Sequence, residues 1–257
     1  MKNAMITGAT SGIGKALAEK FASQGTNVIL VSRDRDKLKQ QQLFLRNEYH
    51  VTVYYIACDL EKEDAADYIM EQIRQWGILV HILVNNAGFN ECGYFRHTDL
   101  KKEIEMINLH VRFVTELTKR ILVSMEENDY GRILNVGSTG SFIPSPTDAV
   151  YSATKAYIMS FSNALCGEYR RTGIKVSTLC PGATQTEFAS KANIEDTLLF
   201  KLAVMKPEKV ARIAYSQLMR GKRIIIPGIY NKLLIAFAKI LPVSITNRMT
   251  LYMMKMR

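Results

Sequence analysis

The stretch "TGATSGIG", residues 7–14, follows directly on the apolar run "AMIT" (4–7) and leads into a segment of helical length. Gly8, Gly12 and Gly14 therefore fall at a strand-to-helix turn, where bare backbone lets a pyrophosphate approach a helix N-terminus. Gly14 also permits close packing of that helix on its strand. The spacing is G-x-x-x-G-x-G rather than the G-x-G-x-x-G of the commoner dinucleotide fingerprint. As a bare pattern, glycines at a turn are more often structural than ligand-binding. Here the strand before, the helix after and the N-terminal position favour the nucleotide.

Working outward, short β-branched runs recur: "NVILVS" at 27–32, "VTVYYIA" at 51–57, "ILVHILVNN" at 78–86, "GRILNVGS" at 131–138, "IKVSTLCPG" at 174–182 and "KRIIIPG" at 222–228. Segments of helical length lie between them, at 12–24, 34–48, 61–76, 99–126 and 151–171. In the last, Ile158, Phe161 and Leu165 take the 3, 4 spacing of a core face. This alternation predicts an α/β fold, a Rossmann-type doubly wound parallel sheet of about seven strands with helices on both faces. The expected organisation is one domain over 1–228, a substrate lid at about 185–206 and a C-terminal extension at 229–257.

The formal net charge is +10, and from Lys209 to Arg257 there are ten Lys or Arg and no Asp or Glu. The charge thus belongs to the C-terminal segment. With no nucleic-acid module in the chain, a nucleic-acid partner is not expected. Four cysteines without CxxC spacing and four histidines without ligand spacing give no metal pattern. Scattered thiols fit a reducing compartment. The chain enters a strand almost at its first residue, so a cytoplasmic protein without a targeting peptide is expected.

At the end of the second strand, "VSRD", Ser32 stands where an acid would meet a ribose hydroxyl, and Arg33 follows. A guanidinium there matches a 2′-phosphate and favours NADP(H) over NAD, although a solvated arginine is the competing reading. In "AVYSATKAY" (149–157), Tyr151 and Lys155 stand one helical turn apart on one face. A nearby cation favours the phenolate, so the pair fits an acid–base tyrosine tuned by its lysine, or equally a surface coincidence of two helix residues. Ser138, closing a strand, reads by itself as a turn residue. His110 reads as a helix residue rather than a catalyst.

With "CDL" (58–60), "NNAG" (85–88), "INLH" (107–110), "NVGS" (135–138), "YSATK" (151–155) and "PG" (181–182) added to the glycine turn, the chain resembles the short-chain dehydrogenase/reductase family over most of residues 3–185. The resemblance implies an NADP-dependent oxidoreductase acting on a carbonyl or secondary alcohol. It implies Tyr151 as general acid–base, Lys155 as its partner and ribose ligand, Ser138 on the substrate oxygen, and Asn108 anchoring a water in a proton relay. It implies a cofactor lined by Gly8, Thr10, Ser11, Gly12, Ile13, Gly14, Arg33, Asp59, Leu60, Asn85, Ala87, Gly88, Tyr151, Lys155, Pro181, Gly182, Thr184 and Thr186. It also implies a homodimer or homotetramer paired through helices at about 99–126 and 151–171. A nucleotide-sensing module without turnover is the rival; the presence of Ser138, Tyr151 and Lys155 weakens it.

The lid carries Phe188, Ile194, Leu198, Leu199, Phe200, Leu202, Val204 and Met205. These point to a lipophilic carbonyl such as a 3-oxoacyl thioester or ketosteroid, or equally to packing of the lid's own helix. In the extension, "LLIAFAKILPV" is too short to span a bilayer. Met249, Tyr252, Met253 and Met256 mark one helical face, with Arg248 and Lys255 elsewhere. Such stripes fit packing on the chain's own domain or another subunit. A peripheral membrane contact, or a membrane-surface adaptor, is the further possibility. The loose likeness is to bacterial broad-specificity reductases related to hydroxysteroid and 3-oxoacyl reductases.

Overall fold

The computed structural model describes residues 1–188 and 204–253. The apolar runs fold as strands β1 (Asn3–Thr7), β2 (Asn27–Ser32), β3 (Val53–Ala57), β4 (Ile82–Asn85), β5 (Gly131–Val136), β6 (Ile174–Leu179) and β7 (Ile224–Ile225). They form one sheet in the order β3-β2-β1-β4-β5-β6-β7. Every neighbouring pair is parallel. β4 starts later than its apolar run. Residues 79 and 81 instead receive Asn3, whose side-chain amide donates to the Leu79 carbonyl at 2.7 Å and whose N–H donates to His81 Nδ1 at 3.2 Å.

The described helices are α1 (Gly12–Ala22), α2 (Arg35–Tyr49), α3 (Ala65–Trp76), α4 (Leu100–Ile107), α5 (Val114–Glu127), α6 (Ala149–Glu168), α7 (Pro207–Met219), α8 (Ile229–Ile240) and α9 (Val243–Met253). They cover both faces of the sheet because the strand side chains alternate. Ala4, Ile6, Val28, Leu30, Ile82 and Val84 pack with α1, α2 and α7. Met5, Ile29, Val31, Leu83 and Ile133 pack on the other side with α3, α5 and Leu165 of α6.

The sequence predicts one helix over 99–126; the structure divides it. A π-helical turn, Asn108–Phe113, separates α4 from α5. Thr115 Oγ1 donates to the Val111 carbonyl in that turn at 2.7 Å.

The chain runs outward from β1 to β3 and returns to β4 on the other side of β1. This reversal opens a crevice beyond the carboxyl ends of β1 and β4, the place where open α/β sheets take ligands. Hydrogen bonds lock the two strand ends together. Thr7 Oγ1 accepts the N–H groups of Asn86 and Ala87, both at 3.0 Å, and the Asn86 amide donates to the carbonyls of Thr7 at 2.9 Å and Gly8 at 3.2 Å.

Candidate active site

The glycine turn places three successive residues, Ser11, Gly12 and Ile13, on the wall of a groove of about 250 Å³. Ser11 caps α1 in an extended conformation, and its side chain makes no cap hydrogen bond. The first-turn N–H groups are therefore available to an anion. Gly14 is needed for packing. A Cβ there would stand 2.2 Å from the Gly8 carbonyl oxygen and 2.4 Å from the Asn86 amide nitrogen.

The groove continues past Asn86, Ala87 and Gly88 to Ser138, Tyr151 and Lys155, and is closed by Pro181, Gly182, Thr184, Thr186 and Phe188. Both Tyr151 and Lys155 lie on α6. Lys155 is buried. Its ammonium donates to the Val136 carbonyl at 3.0 Å and lies 5.5 Å from the centre of the Tyr151 ring. The Ser138 hydroxyl accepts the Gly140 N–H at 3.1 Å and hydrogen-bonds Tyr151.

The electrostatics differ from the expectation that the lysine brings the phenol's pKa down. Burial dominates and raises the Tyr151 pKa above its ordinary 10.0; the Ser138 hydrogen bond opposes it, and Asp148 and Cys180 push it further up. Burial also lowers Lys155 from 10.5 to about 8. For each group the desolvation penalty exceeds the stabilisation of the charged form by its neighbours.

Several expected cofactor residues are not on the wall of this groove. Asn85 is the main correction. Its side chain turns away from the groove and donates to Thr118 Oγ1 at 3.0 Å and Asn135 Oδ1 at 2.8 Å. The amide that lines the groove is that of Asn86. The Leu60 side chain belongs to the core, and Asp59 accepts the Glu61 N–H at 3.3 Å. Thr10 Oγ1 pairs with Ser32 Oγ at 2.9 Å. Arg33 is exposed and makes an ion pair with Glu61 at 3.3 Å. Asn108 opens the π-helical turn, and among the described residues no hydrogen bond joins its side chain to Lys155. In the lid, Phe188 stands 5.9 Å ring to ring from Tyr151. Ile194, Leu198, Leu199, Phe200 and Leu202 lie outside the described residues, as do Lys255 and Met256.

His110 comes closer to the site than its sequence position implied. Its ring stands edge-on to Tyr151, centres 5.9 Å apart. The Thr154 hydroxyl donates to the Tyr151 carbonyl at 2.8 Å, so His110 Nδ1, 2.9 Å from that hydroxyl, is the donor between them. Nε2 then carries the lone pair and abuts Gly88, where a Cβ would lie 2.5 Å away. Burial first, and the Lys155 charge second, hold the His110 pKa well below 6.5, so the imidazole stays neutral. Asn90 and Asp148 line the groove as well, joined by a 2.9 Å hydrogen bond.

A parallel sheet with a glycine turn at its switch point, leading to a Ser–Tyr–Lys cluster set on a buried lysine, defines a dinucleotide-binding α/β protein of the dehydrogenase type. The short chain dehydrogenase family matches residues 2–197, and the chain belongs to that family. It is 37% identical over 190 residues to the very-long-chain 3-oxoacyl-CoA reductase of Mus musculus, a match covering 72% of this chain and 60% of that protein. It is similar to a short-chain dehydrogenase from Sphingobium yanoikuyae in complex with NADPH (TM-score 0.82, 29% identity, covering 93% of this chain and 95% of that one). It is also similar to a 7β-hydroxysteroid dehydrogenase (TM-score 0.87, 27% identity, covering 97% and 96%).

Proposed function

We propose that the chain is an NADP(H)-dependent oxidoreductase that interconverts a lipophilic carbonyl compound and its secondary alcohol. The observation that carries this reading is the half-buried Tyr151, its hydroxyl bonded to Ser138 and its ring flanked by Lys155, at one end of a groove whose other end is the α1 N-terminus. The residues fit a dinucleotide: uncapped N–H groups at Ser11–Ile13 suit its pyrophosphate, and Ala87, Gly88, Pro181 and Thr186 suit the nicotinamide half. The cofactor supplies or takes up the hydride. Tyr151 gives its proton to the carbonyl oxygen as negative charge develops there, and regains it in the reverse direction. Ser138 holds the same oxygen. The Lys155 ammonium stabilises the phenolate that Tyr151 leaves, and Asn108 is proposed to anchor the water that resupplies the proton.

Two further observations support the finer points. Exposed ion pairs contribute about 0–1 kcal/mol. A charge-assisted phosphate contact is worth about 1.5–3 kcal/mol, so a 2′-phosphate draws Arg33 from Glu61. Beyond the groove lies a second, apolar cavity of about 100 Å³, walled by Phe142, Ile143, Leu234, Phe237, Leu241 and Met249, and meeting the groove at Thr139, Gly140 and Ser145. It has room for roughly seven to ten water-sized groups, which suits an alkyl chain. The relatives' names, a 3-oxoacyl-CoA reductase and a hydroxysteroid dehydrogenase, agree with such a substrate. Exposed Ile104, Ile107 and Val123 on α4 and α5 fit pairing of two copies through that face.

The test is Tyr151→Phe, assayed with NADPH against lipophilic and small ketones. NADPH titration by fluorescence should match the parent while turnover is lost. Substantial remaining activity would mean that another group gives the proton.

A further inference from the structure

We infer that the outer face of α8 and α9 docks on an anionic lipid bilayer. The inference does not depend on which substrate is reduced. α8 is apolar on two sides. Asn231 and Ile235 are buried inward, whereas Ile229, Leu233, Phe237 and Ile240 are 71, 54, 66 and 82% exposed. Their spacing of four, four and three residues makes one stripe along the helix. In α9, Val243, Ile245, Met249 and Tyr252 are exposed as well. Apolar patches of this extent mark contact surfaces.

The charge decides what covers the stripe. Lys232, Lys239 and Arg248 are exposed along these helices, in a segment with ten basic and no acidic residues from Lys209 onward. A two-fold pairing of copies through this face would set the patch against itself and bring like charges together. Lipid headgroups of opposite sign have no such conflict. No helix of the described residues is long and apolar enough to cross a membrane, so the pair lies in the interface plane. The apolar cavity lies behind this surface, walled by Leu234, Phe237, Ala238 and Met249. The Lys239 ammonium stands 5.0 Å from the ring of Phe142 in the cavity wall. A substrate dissolved in the bilayer thus reaches the groove between the two docked helices.

The full chain is sedimented with vesicles of phosphatidylcholine alone and of phosphatidylcholine mixed with phosphatidylglycerol. It should pellet with the mixed vesicles only, and less as salt is added. Lys232→Gln with Arg248→Gln should lower partitioning about fivefold per charge removed. Leu233→Glu with Ile240→Glu should abolish it. Neither pair touches the groove, so turnover on a water-soluble ketone should stay at the parent value. A parent that stays in the supernatant with both vesicles, or pellets equally with both, overturns the inference. So does a change in particle mass of the Leu233→Glu/Ile240→Glu protein without vesicles, which would make the face a contact between copies. Sedimentation reads no turnover, so its failure is distinct from failure of the catalytic reading.

Discussion

Tyr151 is subject to opposing effects, and burial prevails, leaving a neutral phenol that is ready to donate. The same burial makes Lys155 sensitive to pH. Its ammonium has a pKa of about 8 in the folded chain against 10.5 ordinarily, so between these values the unfolded chain binds more protons and stability rises with pH. An anionic dinucleotide favours the charged lysine. NADPH binding should therefore take up protons above pH ~8 and weaken as pH rises through that value. Calorimetry in two buffers of unlike ionisation heat measures this; zero uptake would place Lys155 outside the cofactor's field. Gly88 offers a second probe. A methyl at Gly88→Ala would press on His110 Nε2, and the imidazole stands against Tyr151. Displacing the phenol by about 1 Å should lower kcat ~100-fold. An unchanged kcat would show that the imidazole yields in another direction.

At the level of elements, the strands and their order of use were legible because each is a short β-branched run between helical segments. Two features were not. The π-helical turn at Asn108–Phe113 leaves no mark in apolar spacing, so the sequence reads as one helix. The family resemblance implies Asn85 as the amide of the crevice, whereas Asn86 lines the groove. Successive strand-end residues point to opposite faces, and Leu83, on the side of α5, puts Asn85 on that side too. Asn85 instead joins β4 to α5 and β5 through Thr118 and Asn135, and Asn135 continues to Ser162 of α6 at 2.9 Å. Asn85→Ala should cost about 1–3 kcal/mol in denaturant unfolding, because it leaves buried partners unpaired. NADPH affinity should change little. A variant with parent stability and lost NADPH binding would reverse the assignment of Asn85 and Asn86.

At the scale of the whole molecule, the basic C-terminal segment was visible as charge, but its place against the site was not, since that contact joins residues about fifty apart in sequence. The Asn231 side chain of α8 lies against the Pro181–Gly182 turn, where a Cβ on Gly182 would meet its Oδ1 at 2.3 Å. Asn231 also donates to the Pro227 carbonyl at 2.7 Å. The extension thus backs the Pro181–Gly182 wall of the groove, a position from which it can shape the substrate's room. The apolar cavity between α8, α9 and residues 139–145 is where the effect should be read. Each methylene buried there is worth about 0.8 kcal/mol, roughly fourfold in affinity. Across a series of straight-chain ketones, kcat/KM should rise by up to that factor per carbon until the cavity is full, then level off. Ala238 is half-buried on the cavity wall, and Ala238→Trp fills the space with an indole. That variant should reduce the shortest ketones as the parent does and lose the rise with length. An equal loss at every chain length would mean that the indole disturbs the groove itself and that the alkyl chain lies elsewhere.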